Sequence, residues 1–235
     1  MNSKLTAEDF LNGQILFIDK PLEWTSFQVV NKVRWLLKKH FKLKKIKVGH
    51  AGTLDPLATG LLIICTGKFT KKIDAFQAQE KEYTGTFTLG ATTPSFDLET
   101  AIDQTFSIEN ITENQLKETA QLFVGEIAQQ PPVFSALKKD GKRLYEFARK
   151  GEEIEIPTRK VTILDFEITR IALPEVDFRV VCSKGTYIRS LASDYGKALN
   201  NGAHLSALHR TRIGDFSVSD AISLTDFEKQ FKPLD

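Results

Sequence analysis

At 235 residues the chain can bury a sizeable core, as one domain or one domain with a small appendage. With 41% hydrophobic and 26% charged residues it has the composition of a globular protein, and no apolar run approaches membrane-spanning length. The formal net charge of +2 does not by itself mark a nucleic-acid binder.

Distribution says more than the total. Lys38 to Lys47 holds six lysines and no acid, whereas Ala91 to Glu126 holds seven acids against one base, Lys117. Such asymmetry suits a protein with one face toward phosphates and another toward water, though a lysine run alone also reads as a solvated helix end. Cys65 and Cys182 lie in apolar runs and read as small core residues, with neither a disulfide framework nor Cys-x-x-Cys spacing. His40, His50, His204 and His209 give no zinc pattern, so no metal is expected. The polar stretch Met1 to Asp9 carries no signal-peptide core, and a reducing cytoplasm is the expected address.

In chain order, Gln14 to Asp19 reads as a first strand ending at Lys20-Pro21. Thr25 or Ser26 caps a helix whose apolar positions Val29, Val30, Val33, Leu36 and Leu37 follow the 3.6 period. The lysine run at its carboxyl end suits the helix dipole. Leu61 to Cys65 reads as a buried strand, and Tyr83 to Leu89 alternates as a strand with one covered face. Thr112-x-x-Gln115 is a capping box opening a helix that Gly125 should stop. Arg143 to Gly151 reads as a short basic helix, and Val161 to Ile171 and Val176 to Ser183 as strands around a turn at 173–175. Tyr187 to Leu199 is a helix, Leu205 to Val218 is largely extended, and Leu224 to Phe231 makes a last helical turn or two. Helices and strands that do not alternate regularly indicate an α+β domain.

The stretch that organises the chain is Gly49-His50-Ala51-Gly52-Thr53-Leu54-Asp55-Pro56-Leu57-Ala58-Thr59-Gly60. Its glycines permit close backbone approach, and Pro56 biases Asp55 toward an extended or turned backbone. Taken alone, an Asp-Pro pair in a glycine-rich segment reads first as a turn. A carboxylate on a rigid loop beside a buried strand is also a sensible place for chemistry.

The whole motif, Gly-His-x-Gly-x-Leu-Asp-Pro-x-Ala-x-Gly-x-Leu, closely resembles the signature of the bacterial tRNA pseudouridine-55 synthases, the TruB family. Four more segments resemble that family. Lys20-Pro21-Leu22-Glu23-Trp24-Thr25-Ser26 is similar to its amino-terminal box, with Glu23 where glycine is usual. Lys81-Glu82-Tyr83 is similar to a Lys-x-Tyr box that opens a strand. Pro132 to Arg149 resembles a thumb-like insertion, of about 128–157, that grips the T-loop. Ser183 to Ser190 resembles the second active-site strand and helix start.

The resemblance implies a pseudouridine-synthase fold, a mixed and mostly antiparallel sheet with flanking helices and a central RNA-binding cleft. It implies a single catalytic domain over 1–235, and the chain length leads us to expect no carboxyl-terminal RNA-binding domain of the PUA type. The implied reaction isomerises uridine to pseudouridine at position 55 of the tRNA T-loop: the N1–C1′ bond breaks, the base turns, and C5 joins C1′. Asp55 is the implied catalytic nucleophile or base, and one carboxylate suffices for either route. An isomerisation without redox change needs no cofactor. By the same resemblance Arg189 pairs with Asp55 and keeps it ionised, Tyr83 stacks on the uracil, and Tyr187 and Leu208 line the pocket. Unaided, Arg189 would be a surface arginine at a helix start, and the other three core residues. His50 is the implied wedge behind a flipped base. Lys20 and the lysines from 38 to 47 are expected on phosphates. Asp97 matches a family acid, but Thr93-Pro94-Ser95 departs from the usual Thr-Asp-Thr before it. The implied partner is the T-arm stem-loop of tRNA, bound by a monomer without membrane contact. The alternative is a T-arm-binding folding chaperone that does not require Asp55. A guide-RNA-dependent synthase of the dyskerin type shares the aspartate loop but is a longer protein.

Overall fold

The computed structural model describes residues 5–135, 138–139, 142–143 and 156–232. The basic helix expected from Arg143 to Gly151 lies outside the described residues, apart from Arg143, which belongs to a two-residue strand (Lys142–Arg143) paired with Lys138–Lys139. The rest of the thumb-like insertion between 136 and 155 also lies outside them. The chain falls into two compact units, residues 1–83 with 209–235, and residues 84–208.

In the first unit, Thr6 and Asp9 form a reciprocal capping box that opens a short helix, Ala7–Asn12, which the apolar period does not announce. The strand Ile15–Lys20 pairs antiparallel with Ala58–Thr66, which takes Val48–His50 on part of its length. Ile222–Ser223 adds a parallel edge pair to Ile15–Lys20. The unbroken apolar run in Ala58–Thr66 has a direct cause, because both its faces are covered. Leu62 and Ile64 join a core with Val29, Val33, Leu36 and Leu37 of the helix Ser26–His40 and with Leu224 and Phe227 of the helix Leu224–Gln230. Leu61, Ile63 and Cys65 face the other way, against Ala51, Phe76 and Ile213. All five apolar helix positions read from the sequence period are buried.

In the second unit, Glu175–Cys182 lies between Lys81–Leu89 and Arg159–Ala172, and Gly125–Gln129 pairs with the far side of Arg159–Ala172. The expected strands are present, and both ladders to Arg159–Ala172 are antiparallel. Phe87 stacks on Phe178 at 4.1 Å between ring centroids, and Tyr195 of the helix Ile188–Ala198 closes that core with its hydroxyl on the Leu116 carbonyl at 2.8 Å. Gly85 has no substitute here. A Cβ on it would lie 2.3 Å from the Ala207 carbonyl oxygen. The helix opened by Thr112 ends at Gln121 with Leu122 as its cap, so Gly125 does not stop it. Gly125 instead begins the next strand at φ 113°, a conformation that suits glycine. The mixed sheet with flanking helices is the α+β architecture expected.

Candidate active site

Asp55 is half-buried on the loop between Val48–His50 and Ala58–Thr66, and hydrogen bonds hold the backbone of Gly52, Leu54, Asp55 and Pro56. Thr25 caps the helix Ser26–His40 with a capping box to Gln28, which leaves the Ser26 hydroxyl for another task. Ser26 Oγ accepts from the Leu54 amide at 2.8 Å and donates to the Leu54 carbonyl at 3.1 Å. It therefore clamps both polar groups of the residue before Asp55. On the other side, the Pro56 carbonyl accepts the Glu23 amide at 2.8 Å and the Lys20 ammonium at 3.3 Å. The Asp55 carbonyl accepts the Ala58 amide at 3.1 Å, closing the turn that the Asp-Pro pair promised.

Two buried cations complete this frame. Lys20 has no exposed surface, and its ammonium also donates to the carbonyls of Pro21 at 2.8 Å and Trp24 at 2.6 Å. The expectation that Lys20 contacts a phosphate is thereby corrected, since its donors are spent on the loop and water cannot reach it. Burial pushes its ammonium down to about 8, opposed by attraction to Asp55 and reinforced by repulsion from Arg210. Arg210, equally buried, donates Nε to the Leu61 carbonyl at 2.8 Å and a terminal nitrogen to the Gly52 carbonyl at 3.1 Å. It ties the two ends of the aspartate loop together. Gly60, at φ 102°, lets that strand approach, because a Cβ there would sit 2.4 Å from the Arg210 carbonyl oxygen. Burial and the Arg210 charge hold the His50 imidazole below its ordinary range, so it is neutral at pH 7.

Of the expected site residues, Asp55, His50, Lys20 and Tyr83 belong to the first unit and Asp97, Tyr187, Arg189 and Leu208 to the second. Tyr83 is buried on the covered face of Lys81–Leu89, and Leu208 is half-buried. Arg189 is buried rather than a surface arginine. It faces Asp97 at 3.6 Å and donates to the carbonyls of Ser95 at 3.3 Å and Phe134 at 2.9 Å. Thr93 and Ser95, on either side of Pro94 in the segment that departs from the family pattern, both donate hydroxyls to the Asp97 carbonyl, at 2.6 and 3.2 Å. The loop is thus closed by its own side chains. Tyr187 precedes the helix Ile188–Ala198, and the buried Gln129 amide holds its backbone twice, accepting from the Tyr187 amide at 2.8 Å and donating to its carbonyl at 3.0 Å. The Arg159 guanidinium lies 4.6 Å from the Tyr187 ring centroid.

Arg210 and Gln129 were invisible to sequence reading. Nothing local separates Arg210 from Arg212 two residues on. The arginine is buried by carbonyls 149 and 158 residues away in the chain. Ser26 carried a signal, a second hydroxyl beside the capping threonine.

Comparison with known proteins matches residues 38–188 to the family model described as TruB family pseudouridylate synthase (N terminal domain). Residues 189–233 match the model described as tRNA pseudouridylate synthase B C-terminal domain. A Flavobacterium johnsoniae protein named tRNA pseudouridine synthase B is 66% identical over 229 residues, covering 97% of this chain and 100% of that protein. A Phocaeicola vulgatus protein of the same name is 57% identical over 219 residues, 93% of each chain. Among solved structures, a Cbf5-Nop10-Gar1 complex contains a chain 32% identical, with a TM-score of 0.70 over 95% of this chain and 56% of that one. The chain therefore spans little more than half of that structure's length.

Proposed function

The chain belongs to the TruB family of pseudouridylate synthases, enzymes of the isomerase class, and on that footing we propose that it converts uridine to pseudouridine at position 55 of the tRNA T-loop. The observation that carries the finer reading is the fixed backbone around Asp55. Ser26, Glu23, Lys20 and Arg210 hold Leu54, Pro56 and Gly52, so the carboxylate is aimed before substrate arrives. Preorganisation of this kind is what a carboxylate needs to attack or take a proton without first rearranging.

In this proposal Asp55 is the nucleophile or base that lets the N1–C1′ bond break and the C5–C1′ bond form. Tyr83, Tyr187, Arg189 and Leu208 bind the extruded base, Asp97 sets the position of Arg189, and the neutral His50 ring fills the space the base leaves. Extrusion costs on the order of a few kcal/mol of stacking, least where the base is already loosely stacked. The T-arm stem-loop is the minimal substrate, bound by one copy of the chain in the cytoplasm. Among the described residues no helix is long and apolar enough to cross a membrane.

The test is pseudouridine formation in an unmodified T-arm by wild type and Asp55→Asn, with a chelator present and no cofactor added. Conversion of one loop uridine by wild type alone is the expected result. If both proteins bind the RNA and neither converts it, catalysis is abandoned and the chaperone reading takes its place.

A further inference from the structure

The helix Ser26–His40 buries one side only. At about 100° per residue, Val29, Val33, Leu36 and Leu37 share the covered arc, while Phe27, Asn31, Arg34, Trp35 and Lys38 share the opposite one. Phe27 is 65% exposed and Trp35 46%, so two aromatic rings stand on the uncovered arc of the helix. The helix contains no acid at all, and its outward arc continues into exposed Lys39, Lys42, Lys44, Lys45 and Lys47. Among the described residues none of these five lysines has an ion-pair partner. Glu228 pairs with Lys32 of the helix, and the Lys32 ammonium lies 5.5 Å from the Trp35 ring centroid.

We propose that this outward face is an RNA-docking surface for the segment adjoining the target loop, with phosphates on the lysines and bases or ribose over Phe27 and Trp35. The inference rests on the RNA-modifying reading above; it takes up the phosphate contacts expected of the lysines from 38 to 47 and adds to them the outward helix face that carries Phe27 and Trp35. Charge decides the class of occupant. Six lysines in ten residues complement a polyanion, and two rings interleaved with Asn31, Arg34 and Lys38 make a stacking platform rather than a continuous apolar patch for a protein. Position decides which RNA. Ser26 at the helix start holds Leu54 beside Asp55, and the lysine loop begins about 20 Å away at the other end of the helix. An RNA whose loop reaches Asp55 has flanking nucleotides at that distance.

The chain has two tryptophans, so Trp24→Phe leaves Trp35 as the sole reporter. Titration with an unmodified tRNA transcript should quench its emission over the concentration range in which filter retention saturates. In the wild-type tryptophan background, reversal of Lys42, Lys44 and Lys45 to Glu should weaken retention at least tenfold. It should also lower the slope of log Kd against log salt by about 2–3, since each phosphate contact contributes roughly 0.7–0.9. Unchanged retention and slope in the reversed protein, with Trp35 emission indifferent to bound RNA, would overturn the proposal. So would a wild-type dimer in gel filtration that Phe27→Ala splits while RNA retention is untouched, because the face would then belong to a second copy. Failure of the catalytic reading is separable: quenching and retention without uridine conversion sink that reading and leave this one standing.

Discussion

Ser26 Oγ closes both backbone polar groups of Leu54, and Leu54 precedes Asp55. One hydroxyl therefore couples the start of a helix to the position of the candidate catalytic carboxylate. Ser26→Ala leaves a buried N–H and a buried C=O without their partner, which costs about 1–3 kcal/mol. It also frees the loop, and a displacement of about 1 Å costs on the order of a hundredfold in rate. We expect the saturated single-turnover rate to drop by 10- to 100-fold, beyond any change in RNA affinity. A variant that melts lower yet converts uridine at the wild-type rate would separate the clamp from the chemistry.

Lys20 carries a pH dependence whose two consequences run in opposite directions. Its ammonium loses a proton near about 8 in the folded chain, against 10.5 when solvated. As pH rises through 8 the Pro56 carbonyl loses a charged donor and Asp55 a nearby cation, so the conversion rate should fall with an apparent pKa close to 8. Between about 8 and 10.5 the unfolded chain binds more protons at this group than the folded one, so its contribution to stability rises with pH over that window. The rate should thus decline without a parallel decline in Tm from this residue. A rate flat to pH 9 would remove Lys20 from the frame.

Arg210 bridges Gly52 and Leu61 with two nitrogens of one rigid guanidinium. A lysine carries its donors on a single atom and cannot reproduce that fork. Arg210→Lys should therefore fail to rescue. Expected outcomes are a loss of about 2–3 kcal/mol, from one charged hydrogen bond and its uncovered carbonyl, and a saturated rate at least tenfold down. Denaturant melts and single-turnover kinetics on the same preparation read both.

Glu23 occupies the left-handed region at φ 64°, where the resembled motif carries glycine. An L-residue there costs roughly 1–2 kcal/mol, and glycine offsets part of the relief by its larger freedom when unfolded. Glu23→Gly should raise stability by about 0.5–1 kcal/mol, and Glu23→Val should lower it by a similar amount or more, seen as opposite shifts in Tm. Two shifts of the same sign would show that the Glu23 side chain, not its backbone, sets the balance.

What was legible in the sequence was what depends on neighbours along the chain. Thr25 with Gln28 and Thr112 with Gln115 announce helix starts because a capping box closes within four residues. Val29 to Leu37 announces a buried face because 3.6 residues make a turn. The Leu61 to Cys65 run announces a strand covered on both sides, and the motif around Asp55 marks the proposed site. Tertiary structure alone decided which polar residues are buried and what their side chains hold. Lys20 reads as a phosphate contact until Pro56, 36 residues on, takes its proton donors away from water. Arg210 and Arg212 are alike in sequence, yet one is sealed behind the aspartate loop while the other meets Glu80 at 2.9 Å. Arg189 is drawn inward by carbonyls 55 and 94 residues distant. Hydrogen bonds across such separations leave no periodic trace, because only the folded backbone brings a donor to a distant carbonyl and excludes the water that would otherwise compete for it.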